Sequence, residues 1–444
     1  MKFSKYNIFV DNEDNTYLMN NTLTGAMFKV DGLVKDNILN SKFEAFSEKE
    51  LQVYKQQGII VEDSVQEERF LSYFYQKSKY VNNVLSLTAL LTMDCNLQCS
   101  YCFQGAKNKD KSFLTDATRE KIYKFIVDFT TERKLDVVSI LLFGGEPLLH
   151  FNKNIEWLDK IKKYCDENNK KFVTSIVTNG ILIDDEILDS LKKYDCQTIQ
   201  ITLDGIPSIH NTKRIFRNKE GSFTQVLEGI KKVKNKQGLN NPVIRINIDK
   251  NNIGTTLELI QLLDNENLND CFVDFGIIRD GKCSSNCFDD SELGDILEPL
   301  WNTLKELKFN FNVKPSRKSL YCGLYGDTSF TIDHKGNIYK CWELVGDDNH
   351  FMGSLNEEGK ISSLNYNFFN WMSRNPLETK ECRECKYLPI CGGGCGSVAI
   401  ERHDDIHACG CFKSKSIFDK QIKFYYENKI KLDLLASAPD LCGN

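Results

Sequence analysis

The first 94 residues of this 444-residue chain contain no cysteine, although the whole chain has 17. No window reaches the roughly 20 apolar residues that a bilayer-spanning helix needs, so no membrane segment is expected. Residues 1–10 alternate polar and apolar types and lack a basic segment leading into an apolar run. No export signal is therefore expected, and a cytoplasmic location is. Basic residues are not in excess either: 57 Lys and Arg stand against 62 Asp and Glu, for a net charge of −5. That balance removes the electrostatic footprint of nucleic-acid binding, and the lysines within 231–236 read as the solvated face of a helix. Internal repeats and low-complexity tracts are also missing.

What the chain does have is thiols, and they are unevenly placed. Six of the 17 fall between Cys382 and Cys411 in a Gly-rich stretch. In a reducing compartment, cysteines clustered in this way bind metal or do redox chemistry more often than they form disulfides.

A chain this long needs more than one core. Residues 6–10, 16–19 and 26–30 read as short strands broken by Asn, Asp and Gly turns, with a helix at 46–57 and a short strand at 58–61. Residues 1–80 are thus expected to form a small domain, joined onward by a polar and aromatic linker at 67–83. Apolar strands are expected at 84–92, 137–143, 172–177, 198–203, 243–248 and 271–278, alternating with amphipathic helices. In the first of these, Thr115 caps, Asp116 suits the dipole, and Ile122, Phe125, Ile126 and Phe129 form the apolar stripe. Such βα alternation over 81–314 implies an α/β fold with a parallel, right-handed sheet or partial barrel, whose ligands sit at the carboxyl ends of strands. Residues 315–444 lose the alternation and read as loops organised by metal, closed by a helix at 416–429.

Every chemical motif lies at such a strand end. The run Met93-Asp94-Cys95-Asn96-Leu97-Gln98-Cys99-Ser100-Tyr101-Cys102 spaces its thiols Cys-x3-Cys-x2-Cys on a loop. Three thiolates placed this way can each bind one iron of a 4Fe-4S cube and leave the fourth iron open. A zinc site or three buried thiols are the alternatives, although structural zinc would need a fourth nearby ligand. Cys-Asn-Leu-Gln-Cys-Ser-Tyr-Cys resembles the signature of radical S-adenosylmethionine (SAM) enzymes, and the resemblance runs from about residue 84 onward. It implies a partial (β/α)6 barrel in which Cys95, Cys99 and Cys102 hold a catalytic cluster. The open iron would bind the amino and carboxylate groups of SAM.

Gly144-Gly145-Glu146-Pro147 resembles the family's Gly-Gly-Glu-Pro motif, with glycines for close backbone approach and Glu146 as acceptor for the SAM ammonium group. An ordinary strand-ending turn is the alternative. Ser175-Ile176-Val177-Thr178-Asn179-Gly180 is similar to the family's Ser-x-x-Thr-Asn-Gly segment, implying that Ser175 contacts the ribose or carboxylate and Asn179 shapes the pocket. Next, Ile199, Ile201 and Leu203 share one strand face and Gln200, Thr202 and Asp204 the other; Ile244, Ile246 and Ile248 likewise oppose Arg245 and Asn247. Polar faces should look into a barrel, which makes Thr202, Asp204, Arg245 and Asn247 candidate cofactor contacts. Half-exposed strands are the alternative. The resemblance further implies that an electron from flavodoxin or ferredoxin splits SAM into methionine and a 5′-deoxyadenosyl radical that removes a substrate hydrogen.

The later cysteines read Cys322, Gly336-x4-Cys341, Cys382-x2-Cys385-x5-Cys391-x3-Cys395 and Cys409-Gly410-Cys411. The pattern is similar to the SPASM extension, which carries two auxiliary iron-sulfur clusters and would bring the total to three 4Fe-4S clusters. By position, Cys322, Cys341 and Cys395 would hold the first, and Cys382, Cys385, Cys391 and Cys411 the second, with Cys409 the rival for last ligand. Some relatives have a further cysteine where this chain runs from Tyr325 to Phe330. The first auxiliary cluster thus either keeps an open iron or is completed by Cys283, Cys287 or Cys409. A zinc ribbon at 382–395 is the alternative.

Residues 6–61 resemble the winged-helix leader-recognition domain of enzymes that mature ribosomally made peptides, which takes an extended leader as an added strand; a merely structural cap is the alternative. Sulfatase-maturing relatives place an Asp directly after the Gly-x4-Cys cysteine; here it is Trp342, with Glu343 beyond. The expected activity is therefore thioether formation on a precursor peptide, as in sactionine and ranthipeptide enzymes. Formylglycine formation, carbon-carbon crosslinking and a non-catalytic iron-sulfur protein are the other readings. Cys165, Cys196, Cys271 and Cys442 fit no motif, and buried apolar roles are expected for the first three.

Overall fold

A computed structural model describes residues 1–12, 14–104, 112–279, 287–411 and 415–435. Six strands, β1 (Val84–Thr92), β2 (Val137–Gly144), β3 (Lys171–Thr178), β4 (Cys196–Thr202), β5 (Val243–Ile248) and β6 (Phe272–Ile277), lie within two residues of their expected bounds. They pair in parallel and in chain order. Between them run α1 (Asp116–Glu132), α2 (Ile155–Glu167), α3 (Asp185–Lys193), α4 (Phe223–Asn235) and α5 (Thr256–Asn265), and α6 (Leu293–Glu306) follows β6. Parallel neighbours need such crossovers, and burial on the helical face explains the apolar alternation: Val138, Ile140 and Leu142 are wholly buried, whereas Ser139, Leu141 and Phe143 are half-buried on the inner face. The same core takes in Cys165, Cys196 and Cys271.

The sheet does not stop at residue 315. β7 (Ser329–Ile332) pairs in parallel with β1, and β8 (Asn337–Tyr339) and β9 (Gly353–Ser354) extend it antiparallel, giving nine strands. The cysteine-rich region is thereby bonded to the strand that leads into Cys95. α7 (Gly396–His403) and α8 (Lys415–Leu435) complete it, and α8 packs along α6.

At the other end, Asn7–Asp11, Thr16–Asn21 and Met27–Asp31 form an antiparallel sheet. Its Met19 and Val30 pack on Ile38 and Tyr54 of the following helices, while Ile8, Val10 and Leu18 pack on Ile390 and Ile422. The linker expected at 67–83 is instead a helix, Glu67–Tyr80. Leu71, Tyr75 and Lys79 recur every four residues and are buried, and Tyr75 Oη and Lys79 Nζ donate to the Arg374 carbonyl at 2.6 and 3.0 Å. The aliphatic stem of a lysine completes that stripe, which a simple apolar count misses. Among the described residues no helix is long and apolar enough to cross a membrane.

Candidate active site

β1 ends against the end of β2, and the contact shapes the first cysteine loop. Gly145 N donates to the Thr92 carbonyl at 2.9 Å and Glu146 N to that of Asp94 at 2.8 Å. Gly144 has φ +127°, and a Cβ there would lie 2.2 Å from the Thr92 oxygen. These glycines thus admit the backbone that precedes Cys95. Beyond it, Leu97–Cys99 pairs antiparallel with Arg214–Phe216, Ser100 N donates to the Lys213 carbonyl, and Cys102 N to that of Cys99. All three thiols of the loop are half-buried. Burial pushes the Cys95 thiol up to about 12, with the nearby Glu146 adding to it. Such thiols ionise when a cation joins them, which suits an iron-sulfur cluster.

Glu146 is engaged by its neighbours in the fold. It is 1 % exposed, Oε1 accepts from Leu148 N and Thr178 Oγ1 at 3.0 and 2.6 Å, and Oε2 accepts from Asn179 N at 2.7 Å. Its carboxylate therefore ties β2 to β3 and caps the turn begun by Pro147, and does not face open space. Burial raises its pKa, and those three hydrogen bonds oppose the rise. Asn179, by contrast, reaches the loop: its Nδ2 donates to Asn96 Oδ1 at 2.7 Å and lies 3.9 Å from Cys95 Sγ. Ser175 is half-buried in β3, four residues before Asn179.

A second group surrounds Cys99 from the other side. Tyr101 Oη donates to Asp204 Oδ2 and accepts from Arg214 Nη1 at 2.8 Å and Asn247 Nδ2 at 3.3 Å. Asp204, wholly buried, also accepts from Asn247 N at 2.9 Å. Asp204 and Asn247 thus hold the cysteine loop through Tyr101. Arg245 is directed elsewhere, pairing with Asp274 of β6 and with Asn247 Oδ1, and Thr202 is buried beside it in the ladder. The sequence reading missed Tyr101, Arg214, Lys213 and Arg217. The cations Lys213, Arg214 and Arg217 crowd five positions just past β4, which was the available signal. Lys213 pairs with buried Asp249 at 2.7 Å, and Arg217 pairs with Asp94.

Within this strap His210 is wholly buried, its Nδ1 accepting from Asp204 N at 3.2 Å and its Nε2 lying 3.1 Å from Ser222 Oγ. Burial, and then Arg214, push its pKa down from 6.5 to about 3. Below pH 6.5 the unfolded chain takes up a proton that the folded chain refuses, so this contribution is complete above pH 6.5 and is lost towards pH 3. The stability gap between the native chain and His210→Gln is expected to narrow by about 2 kcal/mol between pH 7 and pH 5. Urea unfolding at the two pH values checks it.

The later cysteines fall into two neighbourhoods. Cys341 is buried in a cluster with Tyr325 and Trp371, against which Cys322 packs, and Cys395 lies within electrostatic reach of Cys341 and Tyr325. Cys382 and Cys409 pack with Tyr6, Leu23 and Leu71, their sulfurs 3.5 Å apart, and Cys391 and Cys411 are close by, with Cys385 near Cys411. The Cys395 N–H donates to the Gly410 carbonyl at 3.0 Å, which joins the two neighbourhoods. Cys283 and Cys442 lie outside the described residues. Among the described residues no three His, Cys, Asp or Glu side chains converge closely enough for a single metal ion.

The first neighbourhood faces the sheet's carboxyl end. The Trp342 ring sits 5.7 Å from Phe143, the last inner residue before Gly144. Glu343 Oε2 accepts from Arg279, two residues beyond β6, at 2.5 Å and from Ser397 Oγ at 2.9 Å, and Arg279 also pairs with Glu401 at 3.1 Å. These contacts bring the first cysteine neighbourhood to the carboxyl ends of β2 and β6.

The profile of the radical SAM superfamily matches residues 90–263. The radical SAM cyclopropyl synthase TigE of Paramaledivibacter caminithermalis is 23% identical over an alignment spanning 92% of this chain and 93% of its own. A cysteine-type anaerobic sulfatase-maturating enzyme of Clostridium novyi is 25% identical, over 74% of this chain and 92% of its own. Streptococcus suis SuiB, solved bound to precursor peptide SuiA, shares the fold with a TM-score of 0.53 at 17% identity, across 94% of this chain and 99% of its own.

Proposed function

From the radical SAM domain that residues 90–263 of this enzyme carry, we propose that the protein is a maturase that installs Cys-sulfur-to-carbon crosslinks in a ribosomally made precursor peptide. Cys95, Cys99 and Cys102 would hold the 4Fe-4S cluster; the half-buried thiols and the nearby Arg214 suit an anionic cluster. With SAM bound and one electron from flavodoxin or ferredoxin, cluster and SAM supply a 5′-deoxyadenosyl radical. Gly144 and Gly145 leave backbone room beside the cysteine loop, Asn179 orients it, and Ser175 and Thr202 line the strands behind it.

The observation that carries the peptide reading is the Trp342 ring on Phe143. It places the residue after Cys341 at the mouth of the sheet, where an indole cannot take a proton as a carboxylate would. The next residue, Glu343, is an acid already held by Arg279 and Ser397. Cys322, Cys341 and Cys395 would hold the first auxiliary cluster, in a SPASM domain at 315–444. Residues 1–80 would receive the leader. Of their sheet's two edges, Asn7–Asp11 is mostly buried, so Met27–Asp31 is the edge that a leader strand would extend. The TigE likeness supports a second reading, carbon-carbon bond formation, and the Clostridium relative a third, formylglycine formation.

Mass spectrometry of a cysteine-containing precursor peptide treated with enzyme, SAM and reductant tests the proposal. A thioether removes two hydrogens and one alkylatable thiol per crosslink. Loss of two hydrogens with every thiol still alkylatable would instead mark a carbon-carbon bond, and a hydrazide-reactive aldehyde would mark formylglycine. For the second auxiliary cluster, Cys409, which is half-buried and packs in the Cys382 cluster, is favoured as last ligand over the exposed Cys411. Cys409→Ser is accordingly expected to lower iron content by about one cluster, roughly four irons, and Cys411→Ser to leave it nearly intact.

A further inference from the structure

We propose that Arg214 sets the reduction potential of the cluster held by Cys95, Cys99 and Cys102, its fixed positive charge stabilising the reduced, more negative state. The proposal deepens the radical SAM reading and rests on it.

Arg214 stands directly opposite Cys99 in the antiparallel ladder. Directly opposed residues of such a ladder project to the same side with Cβ atoms about 5 Å apart. The residue is 8 % exposed and is held through both its side chain and its main chain. Nη1 donates to Tyr101 Oη at 2.8 Å, and the Arg214 carbonyl accepts from Ser222 Oγ at 2.6 Å. Its Nε, also buried, makes no hydrogen bond among the described residues. A buried guanidinium with an unspent donor next to a thiol that is to ionise is an arrangement built for an anion.

The neighbouring charges leave this one in command. Lys213 is matched by Asp249 at 2.7 Å, and Arg217 by Asp94 in a more exposed pair. Asp204 lies 3.9 Å from Arg214 and offsets it only in part, because its carboxylate is also engaged by Tyr101 and Asn247 N. Charge and hydrogen bonding at the sulfurs are the levers by which a protein tunes such a cluster. At an effective dielectric of about 20, a unit charge several ångströms away is enough to change the redox equilibrium more than tenfold.

The test is an anaerobic redox titration of the reconstituted full chain, followed by electron paramagnetic resonance of the signal that changes on adding SAM. Arg214→Gln is expected to lower the reduced-to-oxidised ratio at fixed potential at least tenfold, a fall of about 59 mV in midpoint for one electron. Arg214→Lys, which keeps the charge, should stay within threefold of the native chain. Asp204→Asn, which removes the opposing charge, should move the midpoint upward. Mere loosening of the loop would not give opposite signs. An unshifted midpoint in Arg214→Gln with its iron retained overturns the proposal, as does a shift in one direction for both Arg214→Gln and Asp204→Asn. If Arg214→Gln cannot hold iron, Asp204→Asn decides, and no upward shift overturns it. Failure of the parent reading looks different: the native chain itself would then give no SAM-responsive signal.

Discussion

Cys99→Ala is expected to abolish 5′-deoxyadenosine formation from SAM and to remove roughly four irons per chain, with the secondary structure unchanged. The backbone of Cys99 lies in the ladder to Arg214–Phe216, and an alanine keeps those hydrogen bonds. What it removes is one of three thiolates on a single loop, and two cannot anchor a cube whose fourth iron is open. Cys322→Ala offers the contrast. That residue packs in a different cluster, with Tyr325 and Cys341, and so should spare SAM cleavage while ending peptide crosslinking. Chromatography for 5′-deoxyadenosine beside mass spectrometry of the peptide separates the two outcomes. Cleavage surviving in Cys99→Ala would remove the loop from the radical chemistry, and equal loss in both variants would mean that the cysteine groups do not divide the work.

The sheet was legible because its signal is local. β1 to β5 are rich in β-branched and leucine residues and β6 alternates Phe, Val and Ile with Asp and Gly, and the spacing of Cys95, Cys99 and Cys102 lies within eight residues. What escaped depends on distance along the chain. Tyr101 and Arg214 meet across 113 positions, and neither position alone distinguishes a network member from a solvated side chain. Glu146 was recognised as a motif residue, but its direction was not, because that depends on Thr178 and Asn179 arriving from the next strand. Arg245 shares the inner face with Asn247, as alternation requires, yet Asp274 on the neighbouring strand decides where its charge goes. β7 is only four residues long and pairs with a strand some 240 positions earlier, so the joining of the cysteine-rich region to β1 left no pattern to read.

Gly145→Ala is expected to cost the protein its first cluster although no ligand changes. Gly145 has an ordinary φ, so the conformation is open to alanine; the obstruction is spatial. A Cβ there would lie 2.1 Å from the Asp94 carbonyl oxygen, 2.6 Å from its carbon and 2.8 Å from the Met93 oxygen, all of them backbone. Unlike the end of a flexible side chain, these atoms cannot turn aside; the loop must lift as a unit. Lifting it breaks the hydrogen bonds from Gly145 N to Thr92 and from Glu146 N to Asp94, and pulls Cys95 from Asn179. The overpacking and the two lost bonds together amount to about 3 kcal/mol or more. That cost is borne at one edge of the site, away from the helical faces of the sheet. The variant should therefore fold, keep its auxiliary iron, and lose the SAM-responsive signal together with most SAM cleavage. Iron analysis and paramagnetic resonance check this directly. A variant with full first-cluster iron would show that the loop yields without displacing Cys95, and that the contact of β2 with the cysteine loop does not position the thiols.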